Sequence, residues 1–226
     1  MVTALFTGLE ARLLHLVTQL PAQPAPPAAL APGVIHDAAS IYAVMTHAAC
    51  EAYMEDRCKE AADTAVADYT NRDKLGRIAK HLCIFPFFKP PGDNADLEKV
   101  APIIGIPGFG IMMKPAMVTA SRGDLTKALE RGHKIYLNQI NKNHGMGFKY
   151  QFSLLALIGV DISAFDPTFK SRVAALAALR GEAAHRNIVA AQAIPALTDL
   201  VAWTTDLIAG YRNLDDEITR LRRLRA

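Results

Sequence analysis

The chain has 226 residues, 51% of them hydrophobic and only 7% aromatic, with a formal net charge of +3 at pH 7. A length in this range predicts one domain with a substantial core, and so slight a charge does not by itself imply a nucleic-acid partner. The cysteines Cys50, Cys58 and Cys83 show no Cys-x-x-Cys or paired Cys/His spacing. That argues against a disulfide framework or a zinc site and predicts reduced core thiols in a cytoplasmic protein.

In chain order, helical periodicity dominates. The first helix is expected over about Val2–Leu20. It has no basic stretch ahead of its apolar part, and Glu10 and Arg12 interrupt it, so it does not read as a secretory leader. The Pro/Ala-rich segment 21–33 then breaks the pattern and reads as a stiff, exposed connector. A long helix follows over about Val34–Tyr69, with Ile35, Ala38, Tyr42, Met45, Ala49 and Ala52 as its apolar stripe. A shorter helix spans about Arg72–Cys83.

Residues 86–118 mix Pro, Gly and bulky apolar residues and predict a loop-rich insertion, with room for a short strand pair. Within it, "GIPGFG" (105–110) lacks the Lys-Ser/Thr and the βαβ setting of a phosphate loop. No stretch of the chain has the eighteen or so uncharged apolar residues of a membrane span.

Residues 114–149 carry seven Lys/Arg against the two acids Asp124 and Glu130. They predict a helix whose basic face holds Lys127, Arg131 and Lys134 at steps of three or four. Tyr136 and Tyr150 lie on or just after it. "FKYQFSLLALIGVDISAF" (148–165) reads as an apolar helix. "DPTF" then starts another, with Asp166 as N-cap and Pro167 in the first helical position. From about Pro195 a last helix repeats Leu197, Leu200, Thr204, Leu207, Tyr211, Leu214, Ile218 and Leu221 at near-heptad spacing. The fold class is all-α, a bundle of five to seven helices.

The helix from Pro167 raises the functional question. Phe169, Val173 and Leu176 form its apolar stripe, and the next position on that stripe is Arg180. A packed arginine needs an anionic partner. None stands three or four residues away on its own helix, so Glu51 or Glu55 of the long helix, or a ligand phosphate, is expected to supply it. His185 follows five residues later, roughly 140° around the helix and about 7.5 Å along it. A histidine moves protons near neutral pH, and an arginine stabilises a phosphate in its transition state. Together they suit metal-free RNA cleavage, with the RNA's own 2′-hydroxyl as nucleophile.

Arg180-Gly-Glu-Ala-Ala-His185 resembles the Arg-x4–6-His motif of the HEPN superfamily, in particular its RiboL-PSP-type and related bacterial members. The order of elements is similar as well: an early long helix with an acid (Glu51), the motif helix, then one terminal helix. The resemblance covers residues 1–20 and 34–222, with 86–118 as an unmatched insertion. It implies a HEPN-like helical bundle that pairs as a two-fold homodimer, so that Arg180 and His185 of both subunits form one composite site. It further implies a metal-independent endoribonuclease of the toxin–antitoxin or phage-defence type, with no cofactor and with any antitoxin a separate chain.

Glu51 and Asn187 are the supporting residues, and Lys127, Arg131, Lys134 and Arg186 the RNA-binding ones. Two positions depart from the pattern. Gly181 stands where a polar residue is common, and Arg186 where glycine often follows the histidine. Gly181 favours a second reading, a non-catalytic HEPN-like dimeric module that binds nucleotide, RNA or a protein partner. In a third reading Arg180 is simply one half of an internal ion pair.

Overall fold

A computed structural model describes residues 2–22, 24, 29–84, 122–145, 147–185 and 195–224. The described residues are helical and contain no strand. Seven α-helices follow in order: α1 (Ala4–Thr18), α2 (Pro32–Arg72), α3 (Arg77–Ile84), α4 (Arg122–Asn141), α5 (Phe148–Leu155), α6 (Pro167–His185) and α7 (Leu197–Arg223). None is long and apolar enough to cross a membrane. The insertion expected at 86–118 lies outside the described residues.

The chain divides into two compact units. The first comprises Met1–Arg57, Asn143–Ser153 and Asp161–Ile218; the second comprises Cys58–Lys142, Leu154–Val160 and Thr219–Ala226.

In the first unit α7 is the axis. Its predicted repeat is buried throughout, from Leu197 to Ile218. An aromatic series runs across it: Phe6 of α1 meets Tyr53 of α2, Tyr53 meets Tyr211 of α7, and Tyr211 meets Phe169 of α6. These are edge-on contacts with centroids 6.3, 5.5 and 5.1 Å apart. A Cβ on Gly210 would overlap the Phe169 ring, so glycine is what lets α6 and α7 approach there. Tyr42 anchors α2 to α7, its hydroxyl 2.7 Å from Thr204 Oγ1 and 3.1 Å from the Leu200 carbonyl.

α1 begins with Thr3 as N-cap, whose hydroxyl oxygen accepts from the Phe6 amide. α6 starts at Pro167 as expected, with Asp166 Oδ1 accepting from the Thr168 and Phe169 amides.

In the second unit α3 packs against α4. A Cβ on Gly132 would overlap the Leu82 carbonyl, which makes this a backbone-to-backbone approach. Leu129, Tyr136 and Ile140 turn inward from α4, and the Tyr136 hydroxyl donates to the Leu154 carbonyl at 3.0 Å.

Three expectations need correction. The helix foreseen over 148–165 stops at Leu155. A 3-10 turn (156–158) leads to Gly159 at φ 85°, and a second turn (162–164) follows. Gly159 reverses the chain where a Cβ would meet His81 Nε2 at 2.5 Å, so the break is built into that residue.

The helix foreseen from Arg72 begins at Arg77, because α2 continues to Arg72 and Asp73 takes φ 53°. The buried stripe of α2 is also phased differently. Ala39, Tyr42, Ala43, Thr46, His47, Cys50, Tyr53, Met54, Arg57 and Cys58 face inward, while Met45 is 38% and Ile41 62% exposed. Thr46, His47 and Arg57 are polar, so counting apolar residues alone misplaces the face. Cys50 and Cys58 are buried core thiols, as expected, and Cys83 is half-buried.

Candidate functional site

Arg180 and Glu51 both belong to the first unit. Arg180 is exposed; the buried residue of its turn is Leu179, 5% exposed. The aliphatic stem of an arginine can leave a packed stripe and carry the guanidinium to water, which a leucine cannot do. The expectation of Arg180 as a packed arginine is therefore corrected. Among the described residues the buried arginine is Arg57, whose Nε lies 2.7 Å from Asp215 Oδ1.

The charge of Arg180 reaches α2. There His47, Glu51 and Glu55 stand four residues apart on one side of the helix, and His47 Nδ1 lies 3.6 Å from Glu51 Oε2. His47 is 6% exposed. Burial, with the nearby Arg180 charge adding to it, lowers its pKa to about 4, so the imidazole is neutral at neutral pH. Burial raises the Glu51 carboxyl, and the neighbouring Glu55 raises it further, while Arg180 and His144 pull it back down.

The turn between α4 and α5 completes the cluster. Asn143 Nδ2 donates to Glu55 Oε1 at 2.8 Å and to the Gly145 carbonyl at 3.2 Å. A Cβ at Gly145 would lie 4.0 Å from His47 Nε2, and one at Gly147 would lie 4.0 Å from Ala177 Cβ of α6. The turn is thus bonded to α2 at Glu55 and runs near Ala177 of α6, one helical turn before Arg180. His144 is exposed within it, and Tyr150 is 42% exposed beyond it. Chemically the cluster offers one solvent-facing cation, a neutral buried imidazole, an exposed imidazole and two carboxylates.

The remaining predicted residues are placed less closely. His185 is the last residue of α6, and its side chain is not among those described. Arg186 and Asn187 lie outside the described residues. Lys127, Arg131 and Lys134 are exposed along α4, forming the basic face that their spacing predicts, and they belong to the second unit. Tyr136 is fully buried, a core residue. Among the described residues no group of three or more His, Cys, Asp or Glu is arranged to hold a metal ion.

His47, Asn143 and His144 were not predicted as site residues. The one local signal for His47 was its i, i+4 spacing to Glu51, and nothing local marks Asn143 or His144. No family model, curated protein or solved structure matches this chain.

Proposed function

We propose that this chain is a metal-independent endoribonuclease with a HEPN-like fold, acting in the cytoplasm as a homodimer in toxin–antitoxin or phage defence. Arg180 holds the scissile phosphate. His185 transfers the proton, and the RNA 2′-hydroxyl attacks to leave a 2′,3′-cyclic phosphate.

The observation that carries this reading is the exposure of Arg180 on α6, with its charge reaching His47 and Glu51 of α2. The buried ion pair is made by Arg57 with Asp215, which leaves the guanidinium of Arg180 at the surface. The exposed Lys127, Arg131 and Lys134 supply the phosphate-seeking surface that RNA requires. The order of elements agrees, with Glu51 on α2, the motif on α6 and one helix after it. A second reading, a non-catalytic module that binds RNA, nucleotide or a protein partner, is favoured by Gly181 after the arginine.

The test is cleavage of varied RNAs in EDTA by the wild type, Arg180→Ala and His185→Ala, with product ends identified by mass spectrometry. The expected outcome is cyclic-phosphate ends from the wild type and a loss of roughly 10²-fold or more in each variant. Binding without cleavage favours the second reading.

A further inference from the structure

We infer that His144 is a further catalytic group of the Arg180 site, the second proton carrier for RNA cleavage. The inference rests on the nuclease reading above and adds to it a residue from outside the Arg-x4-His motif.

The geometry brackets His144. Its predecessor Asn143 is bonded to Glu55 at 2.8 Å, and its successor Gly145 packs against His47. Glu51 is the residue midway between His47 and Glu55 on α2, and the charge of His144 acts on its carboxyl. The charge of Arg180 acts on the same carboxyl from α6, and two residues beyond Gly145 the chain runs near Ala177 of α6, where a Cβ on Gly147 would lie 4.0 Å from the Ala177 Cβ. The Asn143 side chain also bonds the Gly145 carbonyl at 3.2 Å, closing the turn around His144 and holding it in place. His47 is buried and cannot meet a polymer, whereas His144 is exposed. Among the described residues, the charge of His144 acts on Glu51, which the charges of Glu55 and Arg180 also reach.

The chemistry has a place for it. A neutral imidazole takes the proton of the ribose 2′-hydroxyl, and O2′ forms a bond to phosphorus. The P–O5′ bond breaks with its electron pair leaving on O5′. A protonated imidazole gives O5′ a proton. One proton is taken and one is given, and the products are a 2′,3′-cyclic phosphate and a 5′-hydroxyl. Two imidazoles divide these transfers, so His144 serves one oxygen and His185 the other, while Arg180 holds the non-bridging oxygens.

The experiment compares the wild type, His144→Ala and Arg180→Ala on one oligoribonucleotide in EDTA, over about pH 5 to 9 around the histidine range. The expected result for His144→Ala is a kcat lower by roughly 10²-fold with KM little changed. One limb of the bell-shaped profile of kcat/KM should disappear, and added imidazole should restore part of the rate. Circular dichroism should be unaltered, because the side chain is exposed. Wild-type kcat and both limbs in His144→Ala, alongside an inactive Arg180→Ala, would overturn the role of His144 and leave the nuclease reading standing. A wild type that cleaves no RNA overturns the nuclease reading, and this inference with it.

Discussion

Arg57 and Asp215 form a buried ion pair between α2 and α7, Nε to Oδ1 2.7 Å, with each side chain 1% exposed. Asp215 also accepts from the Thr3 amide at 2.9 Å, the Thr3 hydroxyl at 2.7 Å and the Tyr53 hydroxyl at 3.3 Å. One carboxylate therefore ties the start of α1 to α2 and α7. Burial alone raises the Asp215 carboxyl, but the Thr3 donors and Arg57 outweigh it and hold its pKa below the ordinary value. Such a group stabilises the fold above the unfolded pKa of about 3.9, and the contribution is lost as pH falls through the lower folded value.

Asp215→Ala should destabilise the protein by about 3–5 kcal/mol, since it leaves a buried guanidinium without its counter-charge. The joint replacement Arg57→Met with Asp215→Leu should recover much of that loss. Urea unfolding of the three variants beside the wild type checks this. Cleavage by the double variant should survive, because neither residue belongs to the Arg180 cluster.

His47 gives a second pH dependence of the same direction. Its pKa of about 4 in the fold lies below the unfolded value of about 6.5. The unfolded chain therefore binds more protons between these values. Stability should be full above about pH 6.5 and fall as pH drops toward about 4. The slope of Tm against pH across that window should flatten in His47→Asn, and an NMR titration should show the imidazole still neutral at about pH 5.5. A wild-type imidazole already protonated there would contradict the burial argument.

The basic face of α4 predicts a salt effect. Lys127, Arg131 and Lys134 are exposed, so each charge removal should leave the unfolding free energy within about 0.5 kcal/mol of the wild type. If each meets one RNA phosphate, each alanine should reduce the slope of log affinity against log salt by about 0.7 to 1, without changing sequence preference. Filter binding over a salt series, with a non-cleavable 2′-O-methyl RNA, measures this. An unchanged slope in the triple variant would remove α4 from the RNA path.

The glycines separate packing from chemistry. A Cβ at Gly132 overlaps the Leu82 carbonyl, a backbone group that cannot swing aside, so Gly132→Ala should cost about 1–3 kcal/mol or more. A Cβ at Gly181 meets nothing within 4 Å. Gly181→Ala should therefore stabilise by about 0.5–1 kcal/mol through its helix propensity. Gly181→Asn should fold normally and, by supplying the polar group common in the motif, raise the cleavage rate. Thermal unfolding and the cleavage assay are the two readouts. A rate in Gly181→Asn no higher than that of wild type would show that this position does not limit the chemistry.

The sequence by itself determined the all-helical class, the near-heptad burial of α7 and the start of α6 at Asp166-Pro167. It also determined the basic face of α4. These follow from short-range rules: 3.6-residue periodicity, capping chemistry and the absence of a packing partner for charged steps. Glu51 and Glu55 were legible as acids on the long helix, and the charge of Arg180 reaches Glu51.

Only the tertiary structure decided which arginine is buried. Arg57 and Asp215 are 158 residues apart and no local pattern links them, whereas Arg180 is exposed and Leu179 takes the buried position of its turn. The phase of α2 was hidden for the same reason. Thr46, His47 and Arg57 face inward, and burial of polar groups depends on partners that arrive from elsewhere in the chain. The approach of the Asn143–Gly145 turn to His47 and Glu55 likewise needs two segments brought together, and spacing along one helix cannot express that.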